Sequence, residues 1–255
     1  MAQWPGGARG ALCLSFDNLG VDEASSATGA LPALLERLAE RDLTATFFAE
    51  GVNAELAPEA LREIAAAGHE IAYHAWLHEQ WTELSAAEQA ANLARGVSAF
   101  KGLGLEVSGL RPPGGQLGEG GTELLREKGL TYASPAGKGA GIEDGIALLP
   151  FQWQHVDATA MLPGLDPVRE QITGSPGQID PATFTTYLNR EITENERQES
   201  FMAIVLHLPL LAWLGESNLA TILNQLATTK SWVAPCDKVA DHAQANPTLF
   251  ASATT

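Results

Sequence analysis

Ala11-Leu12-Cys13-Leu14-Ser15-Phe16-Asp17-Asn18 is an apolar run that stops on two polar residues. A short, uninterrupted apolar stretch reads as a strand buried on both faces, and a carboxylate at its end reads as a group delivered to a surface or a site. The same pattern recurs. Thr44 to Phe48 is rich in β-formers and is closed by Gly51. Glu70-Ile71-Ala72-Tyr73 delivers His74, Ser108-Gly109-Leu110 leads into Arg111, and Phe201 to Leu206 leads into His207. Leu130 to Ser134, Ile146 to Phe151 and Ser231 to Ala234 are further strand candidates.

Helical patterns lie between them. Leu31, Leu34, Leu35 and Leu38 share one face of a helix running to Arg41. Pro58 opens a helix that Gly68 stops, and Ser85-Ala86-Ala87-Glu88 is a capping box for a helix reaching about Lys101. Thr122 to Lys128, Pro181 to about Thr193, Asn218 to Ala227 and a terminal segment complete the set. Strands alternating with helices imply an α/β fold, a parallel sheet with helices outside it. The polar residues fall at the carboxyl ends of the strands, where (β/α) barrels carry their active sites. The Gly- and Pro-rich segments from Gly137 to Gly145 and from Met161 to Gly177 read equally as active-site loops or as plain surface loops.

A chain of 255 residues suits one (β/α) barrel or two small domains, and no repeat or linker divides it, so a single domain over residues 1–255 is expected. A net charge of −16 argues against nucleic acid and anionic membranes as partners, and makes a strongly anionic polymer a poor substrate. Cys13 and Cys236 are too few and too far apart for a disulfide framework, and Cys13 reads as a small buried hydrophobe. Met1-Ala2-Gln3-Trp4-Pro5-Gly6-Gly7 lacks the basic and apolar stretches of a secretory signal. The apolar stretch from Phe201 to Leu214 is shorter than the roughly 20 residues a membrane span needs. A cytoplasmic protein is expected; its oligomeric state is not written in the sequence.

His74-Ala75-Trp76-Leu77-His78 is the chemically informative stretch. On a helix, positions i and i+4 share a face and both rings could reach one ion, although two unrelated histidines would look the same. In order along the chain, Ser15-Phe16-Asp17-Asn18, the histidine pair, Arg111-Pro112-Pro113-Gly114-Gly115 and Leu206-His207 resemble four motifs of the polysaccharide deacetylase family, also called NodB-homology or carbohydrate esterase family 4. The likeness runs from about Trp4 to about His242. It implies a distorted (β/α) barrel with fewer than eight strands and a divalent metal, expected to be zinc. It implies His74, His78 and residue 18 as metal ligands, Asp17 as general base, Arg111 as the group that holds it, and His207 as general acid. The fourth motif, an aspartate near a tryptophan, is met in reversed order by Trp153 and Asp157, and Asp157 is carried over as the orienting partner of His207. Pro113, Gly115, Trp153 and His155 are the expected substrate contacts.

Two positions depart from the family. Asn18 stands where an aspartate is expected; its carbonyl oxygen can still ligate, but without charge, so the site either binds metal more weakly or loses it. Ala75 replaces a serine or threonine that buttresses the loop between the histidines. Trp4-Pro5-Gly6-Gly7-Ala8-Arg9 and His207-Leu208-Pro209 are further similar to the allantoinase and cyclic imidase branch, whose members act on small cyclic amides. The resemblance therefore implies hydrolysis of a non-peptide carbon–nitrogen bond, in an N-acetyl sugar, a small N-acyl compound or a cyclic amide. The rival expectation is a binding protein that kept the barrel and lost catalysis.

Overall fold

In a computed structural model, residues 4–249 are described; Met1-Ala2-Gln3 of the amino-terminal stretch, and the two ends of the expected domain, lie outside them. Strand β1 (Ala11–Asp17) is the axis of the sheet. It pairs in parallel with β2 (Thr46–Ala49) on one side and along its whole length with β8 (Phe201–His207) on the other. Beyond β2 come β3 (Glu70–Tyr73), β4 (Gly109–Leu110), β5 (Tyr132–Ala133) and β7 (Ile146–Leu148), all parallel, then β6 (Gly141–Glu143) antiparallel at the edge. Short β9 (Trp232–Val233) pairs with the start of β1, at Ala11 and Leu12, below the point where β2 begins at Ser15.

This mixed sheet curls strongly into a half-barrel, with one cluster of buried residues on each face. Along β1, Leu12, Leu14 and Phe16 join the layer packed under the helices, while Ala11 and Cys13 belong to a separate inner cluster. Met202, Ile204 and Leu206 of β8 alternate in the same way with Ala203 and Val205, and Ile71 and Tyr73 of β3 with Ala72. Successive strand residues point to opposite faces, and β2 and β5 reverse the size order, with Phe48 and Tyr132 in the inner cluster and Ala49 and Ala133 in the outer layer. On the inner face Ser15 and Asp17 continue the Ala11–Cys13 column to the carboxyl end of β1.

The helices follow the sequence closely. Leu31–Ala39 buries Leu31, Leu34 and Leu38, and Ala86–Gly102 begins at the complete Ser85–Glu88 capping box. Pro181–Gln198 runs a turn further than expected. The segment from Gly137 to Gly145 contains β6 rather than an active-site loop. The segment from Met161 to Gly177 contains the helix Asp166–Thr173, with Leu162 at the cleft described below. No helix among the described residues is long and apolar enough to cross a membrane.

The half-barrel does not close on itself: its edge strands are β6 and β8, and a seam is left on the β8 side. Residues 149–160 cross this seam as two short 3-10 turns, Trp153–His155 and Asp157–Ala160. A single parallel bridge, Val156 to Val205, ties them to β8.

Candidate active site

The carboxyl ends of the parallel strands converge. Asp17 closes β1, Glu50 follows β2, His74 follows β3, Arg111 follows β4, Ser134 follows β5 and His207 closes β8. A cleft of about 390 Å³ opens above them, lined by Asp17, Asn18, His74, His78, Arg111 and His207 together with apolar groups from the seam.

Arg111 is the centre of the buried network, at 1 % exposure. One terminal nitrogen donates to Asp17 Oδ1 at 2.6 Å and to Ser15 Oγ at 2.7 Å; the other terminal nitrogen and Nε donate to Ser134 Oγ at 3.0 and 3.3 Å. Its guanidinium lies 3.9 Å from the centre of the Phe48 ring. Arg111 meets the Asp17 carboxylate through one nitrogen, because Ser15 and Ser134 take other donors. Asp17 Oδ2 is left facing the cleft, 3.9 Å from His74 Nε2.

The two histidines are not on a helix. Residues 74–80 form a loop in which Ala75 and His78 adopt left-handed backbone angles (φ 63° and 60°). Their rings meet edge to face, with centroids 4.8 Å apart. The loop is strapped down by backbone bonds, Gly51 N to Ala75 O at 2.8 Å and Val52 N to Trp76 O at 3.1 Å. These do the buttressing that Ala75, without a hydroxyl, cannot. Gly51 is required there: a Cβ would stand 2.7 Å from Cε3 of Trp76.

His74 Nδ1 donates to the Arg111 carbonyl at 2.7 Å, which fixes the tautomer and leaves Nε2 as a bare lone pair directed away from that bond. Burial drives the His74 pKa down to about 3 and lowers that of His78, so both rings stay neutral, the form that ligates metals. Asn18 sits in the left-handed region (φ 65°), one that asparagine tolerates better than most residues, and its Oδ1 is buried with no hydrogen-bond partner. A buried carbonyl oxygen without a donor costs roughly 1–3 kcal/mol unless something fills the place. Two bare imidazole nitrogens and an orphaned oxygen at one cleft are a donor set that fits a divalent cation. Among the described residues no three His, Cys, Asp or Glu side chains form such a set; the third donor is an amide.

Opposite, Asp157 is fully buried, and both of its oxygens accept from His207 at the β8 terminus. Oδ1 accepts from His207 Nδ1 and from Ala158 N, both at 2.6 Å, and Oδ2 accepts from His207 N at 2.8 Å. Burial pushes the His207 pKa down, but the charge and hydrogen bond of Asp157 together outweigh it, and the net shift is upward. With Nδ1 committed, Nε2 is the atom His207 turns to the cleft.

Trp153 and Gly115 line the cleft. Two expected substrate contacts do not. His155 turns to the other side of the seam, into a separate cavity of about 460 Å³, with its Nε2 3.7 Å from Glu191. In a 3-10 turn residues i and i+2 point about 120° apart, and here Trp153 and His155 line different cavities. Pro113 is displaced by the Pro-Pro turn, which presents Pro112, Gly114 and Gly115 instead; the Pro113 carbonyl accepts from Trp81 N. The sequence reading missed Ser15, Ser134 and Glu50. Ser15 and Ser134 share the signal that marked Asp17 and Arg111, a polar residue at the end of an apolar strand.

The strand ends of the half-barrel thus gather a carboxylate–arginine pair, a carboxylate–histidine pair and a neutral nitrogen–oxygen donor set at one cleft. The chain belongs to the polysaccharide deacetylase family, whose pattern it matches over residues 7–133. It is 32% identical over 101 residues to chitin deacetylase 1 of Cryptococcus neoformans var. grubii, an alignment that takes in 39% of this chain and 22% of that protein. Among solved structures, one from Mycobacterium smegmatis assigned to the polysaccharide deacetylases superposes with a TM-score of 0.79 at 25% identity, covering 95% of this chain and 93% of the other. The Puue allantoinase superposes at 0.75 with 17% identity and the same coverage. A family pseudoenzyme from Bacillus anthracis shares the fold at 0.63 and 17% identity, over 91% of this chain and 65% of that one.

Proposed function

We propose that this protein hydrolyses a carbon–nitrogen bond in a small N-acyl compound or cyclic amide, with a divalent cation, expected to be zinc, held by His74, His78 and Asn18. The observation that carries this reading is the pair of dyads facing one cleft: Asp17 held by Arg111, and His207 held by Asp157. Asp17 accepts a hydrogen bond from a permanent cation and offers a free oxygen; His207 is shifted toward its protonated form. That difference separates base from acid.

A cation bound there supplies Lewis acidity to the carbonyl oxygen and to water. Asp17 Oδ2 takes a proton as water adds to the carbonyl carbon. His207 Nε2 then gives its proton to the nitrogen as the carbon–nitrogen bond breaks, leaving a carboxylate and an amine. Arg111 keeps Asp17 aimed, and Asp157 keeps His207 in the tautomer that presents Nε2. Phe151, Trp153, Val156, Leu162, Val205 and Leu210 give the cleft apolar walls, which suits a compact substrate with an apolar face better than a hydrated polymer. Free, buried cysteines suit a reducing, cytoplasmic setting.

Elemental analysis of the purified protein beside an Asn18→Asp variant, with turnover of a panel of cyclic imides, ureides and N-acetyl sugars, tests the reading. Near-stoichiometric transition metal and turnover of a small amide support it. Metal in the variant alone would favour the rival reading, a family member that lost catalysis at Asn18, for which the neutral side chain is the supporting observation.

A further inference from the structure

The donor set His74, His78 and Asn18 carries no charge, and the carboxylate nearest to it, Asp17, is already matched by Arg111. A dication among neutral donors in a buried site needs an anion close by. Glu50, on the strand end between those that carry Asn18 and His74, is a buried carboxyl group. It is 1 % exposed, and its bound donors are all neutral. Oε2 accepts from Leu19 N at 3.0 Å and from Asn53 Nδ2 at 3.1 Å, and it is in no ion pair among the described residues.

The strand register places it. Asp17 stands opposite Phe48 and Ala49 opposite Tyr73. The ladders continue one step past the strands, Asn18 N donating to Phe48 O and His74 N to Ala49 O. Glu50 therefore stands between the β1 end that carries Asn18 and the β3 end that carries His74. Asn53 Nδ2 also donates to Gly20 O at 2.9 Å, so Glu50 and Asn53 together clamp the backbone just after Asn18. Burying a carboxylate on neutral donors alone is costly, and a role in tying the loop does not require charge.

We propose that Glu50 is a positioning residue whose negative charge balances the cation held by His74, His78 and Asn18. This rests on the metal reading of the site. The charge of Glu50 stands in for the one that Asn18 does not carry, while its hydrogen bond to Leu19 sets where the Asn18 oxygen lies.

The test is zinc affinity of the full chain, measured by competition with a chromophoric chelator, for the unmutated protein and for Glu50→Gln, Glu50→Asp, Asn18→Asp and Asn18→Asp/Glu50→Gln. Glutamine keeps an oxygen for Leu19 N and Asn53 Nδ2 and removes only the charge. Glu50→Gln should weaken zinc binding by about 10–100-fold, the usual effect of losing an outer carboxylate. In the Asn18→Asp background the same change should cost about threefold or less, because charge is then supplied directly. Glu50→Asp keeps charge but shortens the tie; it should retain zinc within about tenfold, and it decides the matter should Glu50→Gln not fold. Unchanged affinity in Glu50→Gln, or an equal loss in both backgrounds, would overturn the proposal. If Asn18→Asp binds zinc and the unmutated chain does not, the metal site stands and charge compensation by Glu50 fails. If neither binds, both fail.

Discussion

Replacing Asp157 by asparagine should move the titration of His207 while leaving the histidine in place. Asp157 makes a charge-assisted bond of 2.6 Å to His207 Nδ1, and such bonds contribute about 1.5–3 kcal/mol. Its loss should therefore lower the His207 pKa. The sign is set by the upward shift in the folded protein: stability from His207 is present below its unfolded pKa and fades as pH rises through the folded one. Asparagine also has one acceptor oxygen where three N–H groups converge on two, so its amide would face a donor, at a cost of roughly 1–3 kcal/mol. Nitrogen-detected NMR titration follows His207 directly among six histidines and needs no substrate. Once a substrate is in hand, the alkaline limb of kcat/KM should shift to lower pH by the same amount. A His207 titration unmoved in a folded Asp157→Asn variant would refute the reasoning, since Asp157 would not then be what keeps the ring protonated.

Arg111→Met should abolish turnover and destabilise the fold by about 3–5 kcal/mol in a denaturant titration, because Asp17 is left buried without its cation. Gly96→Ala, on the helix Ala86–Gly102, would place a Cβ 2.0 Å from the Tyr73 ring; thermal melting should show a loss of about 1–3 kcal/mol, and a neutral result would mean the helix stands further from β3. Burial raises the Glu70 pKa to about 7 from 4.5, so the folded state favours its protonated form and loses stability as pH rises from about 4.5 to 7. Glu70→Gln should remove that slope, a relative gain at pH 8 of up to roughly 3 kcal/mol; an unchanged profile would place the titration elsewhere.

Much of the fold was legible because each parallel strand is buried on both faces and reads as an apolar run with a polar residue at its end. β1 and β8, paired with each other over seven residues, were the plainest. The edge strand β6 was not, since Gly141-Ile142-Glu143 is exposed and Gly-rich and owes its form to the neighbouring β7. Asp17, His74, Arg111 and His207 came to the strand ends as the motif order implied, and Asp157 reached His207 from the segment that crosses the seam. What sequence could not give was direction. His155 lies two residues from Trp153 and two from Asp157, and a tight turn sends it to the far side of the seam. Glu50 was passed over because a glutamate after a strand looks like any solvated one; only the register shows it shut between two ligand-bearing ends.

The seam has a kinetic meaning as well as an architectural one. Asp157 stands on the segment that crosses it and His207 on the strand at its edge, with one bridge, Val156 to Val205, beside them. The contact that tunes the proton donor is thus also the latch of the half-barrel. Each opening of the seam would release the His207 amide from Asp157 Oδ2 and its ring from Oδ1 in one event. Hydrogen exchange at that amide would count the same openings that silence the acid.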